Sequence, residues 1–338
     1  MPVTSNKNIL VSVIIPYFQR ERGILRRALE SVLRQRLELG ITVNVIVVDD
    51  GSPVSAQSEA EGLDFTPPFH LTIIPQSNGG VSIARNTGLK SVNVATKYIA
   101  FLDSDDTWRE GHLAQGIEAL EQGNDFYFCD NERDGYHTSH FSSGTLIFAF
   151  IGKDTDKEGI IKLTRDEVTP IILREFATQA STVVYRRDIA PDLLFDTSFT
   201  KAGEDIIFLL QLINKTQKIC FSSRIMVDCG TGINIYFSNL DWNSAGHLSQ
   251  VIYRLKAHLT IQKGVELTQD NIVWNKSFIA TLRRKVVFLS LRQIVRNKGK
   301  CPDELKALAR EDKWFYVWFP LYLFQVVTGK ILGLYNPS

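Results

Sequence analysis

Tyr98-Ile99-Ala100-Phe101-Leu102-Asp103-Ser104-Asp105-Asp106 sets three carboxylates directly behind an unbroken apolar run. A short apolar run with polar punctuation on both sides predicts a strand covered on both faces. In open α/β sheets ligands gather just beyond the carboxyl ends of such strands. Asp103 and Asp105 are one residue apart, and their mutual repulsion is relieved by a hard divalent cation, Mg²⁺ or Mn²⁺. An ion held by only one or two protein carboxylates completes its shell with water and substrate phosphates. The stretch therefore predicts a nucleotide-using site, against the plainer reading of a solvated, helix-capping turn.

Working outward, the preceding chain repeats the pattern. Leu10-Val11-Ser12-Val13-Ile14-Ile15-Pro16-Tyr17 is a β-rich run closed by proline, and Leu25, Leu29, Val32 and Leu33 then recur at helical spacing. The next strand, Val43-Asn44-Val45-Ile46-Val47-Val48, runs into Asp49-Asp50-Gly51-Ser52. Leu71-Thr72-Ile73-Ile74 leads to Asn78-Gly79-Gly80 and a helix from about Val81 that carries Arg85 and Asn86. Strands alternating with helices over a hundred residues predict an α/β fold with a mostly parallel sheet. Three strand ends, at Pro16-Tyr17, Asp49-Asp50 and Asp103-Ser104-Asp105, then share one rim.

Composition narrows the class. The chain has 338 residues and 44% hydrophobic content, enough for a full core. Its net charge of +1 conceals an asymmetry, because residues 274–313 hold eleven Lys/Arg against four Asp/Glu. Four widely spaced cysteines form no C-x-x-C pair, which points away from a disulfide framework or zinc site and toward a reducing cytosol. The first eight residues lack the apolar core of a signal peptide. No G-x-x-x-x-G-K-[ST] is present, so a P-loop nucleotidase is excluded.

Taken together, Val13-Ile14-Ile15-Pro16-Tyr17, Asp49-Asp50-Gly51-Ser52, Asn78 to Asn86 and Phe101 to Asp106 resemble the family 2 GT-A glycosyltransferases. The resemblance implies a Rossmann-like GT-A sheet flanked by helices, a UDP-sugar donor, most simply UDP-glucose, and Mn²⁺ or Mg²⁺. It implies that Asp49 meets the uracil imide, that Pro16 and Tyr17 line the base, and that Asp50, Arg85 and Ser104 belong to the nucleotide set. Asp103 serves the ribose and the metal, and Asp105 the metal. The Asp-x-Asp-x-Thr pattern at Asp103 also resembles the nucleophile motif of haloacid-dehalogenase phosphatases, although two βα units precede it here. A non-catalytic sugar-nucleotide binding module is the remaining alternative.

Inverting transfer to a hydroxyl needs a carboxylate base on the face opposite the leaving group. Ile206, Leu209, Leu210 and Ile213 predict a buried helix after Gly203, with Glu204 and Asp205 in its first turn, where acids also favour the helix dipole. The resemblance assigns the base to Asp205 and acceptor binding to Glu204. Phe126-Tyr127-Phe128-Cys129 predicts a further strand, residues 132–159 a polar loop, and residues 179–185 a strand facing the sugar. His137 and His140 read as loop residues rather than metal ligands. Residues 228–237 read as a mobile loop over the site, with Tyr236 and Trp242 as acceptor-stacking candidates. The resemblance implies His247 as a third metal ligand, against the plainer reading of a polar residue at a helix start.

The expected organisation is a catalytic domain over 1–240, with a nucleotide half 1–131 and an acceptor half 132–240, followed by a helical region over 241–338. Between Lys313 and Lys330 lie sixteen residues rich in aromatics and broken by Pro320. That is short of the ~20 needed to span a bilayer. Beside a basic segment it predicts a helix lying on the inner face of the cell membrane, with a homo-oligomer contact as the competing use. Nucleic acid is not an expected partner. The tail and residues 230–242 also resemble bacterial exopolysaccharide glucosyltransferases, which implies a glycan or glycolipid acceptor.

Overall fold

The apolar runs form strands because β-branched residues pack on a pleated surface covered from both sides. In the computed structural model β1 (Ile9–Tyr17), β2 (Ile41–Asp49), β3 (Phe69–Pro75) and β4 (Tyr98–Phe101) are mutually parallel in the order β3-β2-β1-β4. The structure describes residues 8–133, 138–151, 159–200, 202–230, 245–296, 305, 306, 308 and 312–331. The helices α1 (Ile24–Leu33), α2 (Ala56–Ala60) and α3 (Val81–Lys90) fill the connections. Leu25, Leu29 and Val32 of α1 are buried, as the spacing predicts, together with Ala28, while Leu33 is partly buried. Residue 88 is necessarily glycine, since a Cβ there would lie 2.4 Å from Ile14 Cγ2.

The sheet continues through β5 (Thr107–Trp108), β6 (Phe126–Arg133), β7 (Ile160–Leu163), β8 (Val183–Arg186) and β9 (Ile219–Cys229), in the order β4-β8-β6-β9-β5, with β7 against β9. Here it turns mixed: β4/β8, β6/β8, β5/β9 and β7/β9 are antiparallel and β6/β9 parallel. Between the strands lie α4 (His112–Glu121), α5 (Thr145–Phe148), α6 (Arg165–Pro170) and α7 (Glu204–Lys215).

Two sequence expectations are corrected. The strand expected over 179–185 forms only from Val183, as the start of β8; Ala180–Thr182 make a 3₁₀ turn, because Thr182 Oγ1 bonds locally to Thr178 and Gln179 while Ser181 is drawn to the turn after β4. Asp228 and Cys229 close β9 rather than open a loop, held by pairing with Thr107 and with Glu132 and Arg133. The polar segment after β6 also contains α5, whose start is fixed by the Glu175 carboxylate accepting Leu146 and Ile147 N–H.

The chain divides into two compact units, residues 1–200 with 208–233, and residues 201–207 with 234–338. In the second, α8 (Ala245–Gly264), α9 (Gln269–Arg296) and α10 (Lys313–Ile331) enclose their own apolar cluster around Leu255, Leu282, Val286 and Phe315.

Candidate active site

The parallel register brings the carboxyl ends of β1, β2 and β4 level, with Tyr17 opposite Asp49 and Ile14 opposite Phe101. The expected side chains of this rim differ sharply in how they are satisfied. Asp50 is 2% exposed and fully engaged: Gln76 Nε2, Gly79 N and Gly80 N donate to its carboxylate at 2.7–2.8 Å. Asp49 accepts Ser52 N and Ala56 N, one on each oxygen, at 2.8 Å. Both acids thus shape the turns after β2. Pro16 is buried at the end of β1. The Tyr17 ring packs inward with Leu25 and Ala28 at 1% exposure, and burial pushes its hydroxyl up to about 12. What Tyr17 gives the rim is its carbonyl, which accepts Asp50 N at 2.9 Å.

Arg85 reaches the same rim from α3. Its guanidinium is buried, lies 5.1 Å over the Phe195 ring and donates from Nη2 to Asp103 Oδ1 at 2.7 Å. Next to it, Asn86 donates to Phe195 O at 2.9 Å and accepts Phe195 N at 2.8 Å, which fixes the segment under the guanidinium.

The acid turn after β4 is held from several sides. Ser181 Oγ accepts Asp103 N at 2.9 Å and donates to Asp106 Oδ2 at 2.6 Å. Gln19 Nε2 donates to Ser104 Oγ at 3.3 Å, tying the β1 loop to the turn. Gly230 N donates to Asp106 Oδ1 at 3.0 Å. A Cβ on Gly230 would fall 1.9 Å from Asp105 O, so only glycine lets the end of β9 approach this closely. Gln19 is a site residue that sequence reasoning missed, and Ser181 and Gly230 enter that reasoning only as members of the 179–185 and 228–237 segments.

Asp105 is the exception. Beyond its own backbone N–H, no donor among the described residues reaches its carboxylate. Burial, and then the charge of Asp103, push it up to about 6, against the pull of Arg133 and Arg85. Asp106 is raised as well, by burial first and then by Asp105 and Asp103. The turn thus carries more negative charge than its neighbours offset.

The family model for glycosyl transferase family 2 matches residues 12–187, more than half of the chain. The chain belongs to glycosyltransferase family 2. It is 29% identical to the succinoglycan biosynthesis protein ExoW of Rhizobium meliloti over 85% of this chain and 89% of that protein. It is 33% identical to the minor teichoic acid biosynthesis protein GgaA of Bacillus subtilis, over 62% of this chain and 44% of that protein. Among solved structures, S. aureus TarS 1–349 in complex with UDP superposes with a TM-score of 0.53 at 18% identity, covering 90% of this chain and 92% of that one. The same protein is also known in complex with UDP-GlcNAc. The likeness shows a GT-A-like fold, a mostly parallel sheet with flanking helices. Family membership removes the haloacid-dehalogenase alternative.

Among the described residues no group of three or more His, Cys, Asp or Glu side chains makes a metal site by itself. The donor set of this family 2 chain nevertheless fits a divalent cation, because Asp105 is a partly buried carboxylate with unused acceptor sites beside the charge of Asp103. His247 lies on α8, where burial and the ammonium of Lys285 lower its pKa. Glu204 and Asp205 occupy the first turn of α7, and Asp205 Oδ1 accepts Ile206 N at 2.9 Å. Tyr236, Trp242 and His137 lie outside the described residues, while His140 Nε2 sits 3.2 Å from Phe176 O.

Proposed function

We propose that the chain transfers a hexose from a UDP-sugar, with inversion and with Mn²⁺ or Mg²⁺, to a hydroxyl of a glycan or lipid-linked oligosaccharide in polysaccharide synthesis. The observation that carries this reading is the under-compensated Asp105 carboxylate in a turn otherwise fixed by Arg85, Ser181 and Gly230. ExoW and GgaA, named for succinoglycan and minor teichoic acid biosynthesis, support the polymer context. The TarS complexes with UDP and UDP-GlcNAc support the donor class.

Asp105 and Asp103 are the carboxylates that would hold the cation, whose chemistry there is to neutralise charge on a diphosphate leaving group. Arg85 orients Asp103 through the 2.7 Å ion pair. Asp49 and Asp50 hold the turns that frame the base. Asp205 takes the proton of the acceptor hydroxyl as its oxygen attacks the anomeric carbon, and Glu204 orients that acceptor.

A UDP-release screen over a panel of sugar nucleotides, with UDP-glucose first, tests the reading. One UDP-sugar should give acceptor-dependent UDP that EDTA abolishes and Mn²⁺ restores. Release from a GDP-sugar alone, or release indifferent to EDTA, would overturn the donor or the metal.

A further inference from the structure

Helix α10 has two apolar faces, and only one of them is used inside the second unit. Phe315, Tyr322 and Val326 are buried in the cluster with Leu255, Leu282 and Val286. On the other side Trp314, Val317, Trp318, Leu321 and Phe324 are 43–65% exposed. Their spacing of i, i+3, i+4, i+7 and i+10 places all five within about 120° of the helix circumference. A stripe of large apolar side chains on one face marks an interaction surface rather than scattered exposure.

Charge indicates what covers it. Residues 269–296 carry six Lys/Arg against Asp270 alone, and residues 313–331 add Lys313 and Lys330 with no acid. The buried Asp312 neutralises only Arg283, through two 2.8 Å hydrogen bonds that also anchor the start of α10. A second copy of this unit would bring like charges together. Anionic headgroups would offset them, and tryptophan and phenylalanine suit the boundary between headgroup and acyl chain. Among the described residues no helix is long and apolar enough to cross a membrane, and α10 runs on through Pro320 without reaching that length of apolar chain.

We propose that the Trp314/Val317/Trp318/Leu321/Phe324 face of α10 docks the chain, lying in the plane, on an anionic bilayer. Flotation of the full-length chain with phosphatidylcholine vesicles, with and without phosphatidylglycerol, tests it. The chain should float with the anionic vesicles, and less at high salt. The triple variant W314S/W318S/F324S changes only exposed side chains. It should keep the wild-type melting temperature and UDP affinity while binding anionic vesicles about tenfold more weakly or worse. Unchanged flotation of that variant would overturn the proposal, as would equal flotation with neutral vesicles. So would a wild-type dimer, seen by light scattering, that ignores vesicles and that the triple variant dissociates. That last result would assign the face to a second copy.

Discussion

Asp50 and Asp105 stand on the same sheet rim, and the protein treats them in opposite ways. Asp50 is enclosed by three donors from the Gln76–Gly80 segment and is finished as it stands. Asp105 is only partly withdrawn from water, yet faces Asp103 without an offsetting hydrogen bond from another residue and is pushed up to about 6. A carboxylate whose acceptor sites are filled by its own chain holds a loop. One left under-compensated at a sheet edge is arranged for something the chain does not supply.

The largest expected effect extends this comparison to a third acid. Asp205→Asn should lower turnover by about a thousandfold while leaving UDP affinity unchanged, since a general base acts on the acceptor only. If turnover is kept, the base lies elsewhere. If UDP affinity falls with it, Asp205 acts on the nucleotide, the part proposed for Asp105. Next comes Gly230→Ala, whose new methyl must displace the backbone of Asp105. It should weaken Mn²⁺-supported UDP binding about tenfold and cost about 1–3 kcal/mol of stability, and calorimetry with thermal melts reads both.

Melting temperatures separate the two rim acids by sign. Asp50→Ala strands three donors and should destabilise by about 3 kcal/mol, roughly 6–12 °C for a domain of this size. Asp105→Asn removes a repulsion instead, so in EDTA it should melt above the wild type. Equal losses in both variants would erase the distinction. The smallest effect is on pH. Folded Asp105 retains its proton up to about 6, above the unfolded carboxylate range, so this group favours folding less as pH rises through that value. A cation must displace the same proton, so Mn²⁺-supported UDP affinity should fall about tenfold per pH unit below about 6.

Much of the architecture was legible in the sequence, for reasons the elements themselves show. β1, β2 and β4 are dense apolar runs with proline or aspartate at or near their carboxyl ends, because these central strands are covered on both faces and their punctuation survives. β9 was not legible. It carries Ser222, Ser223, Arg224 and Asp228 and is bulged against β6 near Asp130, so no single period runs along it. β5 is two residues long, too short for any pattern. At the site, the acids and Arg85 could be named because they sit at strand ends or in recurring motifs. Ser181 could not, since its role comes from two hydrogen bonds to residues 75 and 78 positions away. Gly230 reads from sequence as part of a loop, because an open turn and a close backbone approach are written with the same residue.

Calorimetric titration of UDP into the wild type and Asp105→Asn, each in Mn²⁺ and in EDTA, tests the central claim most directly. Affinity should depend on Mn²⁺ in the wild type and lose that dependence in the variant. Equal affinity in Mn²⁺ and EDTA for the wild type, or a metal dependence that survives in Asp105→Asn, would contradict the account.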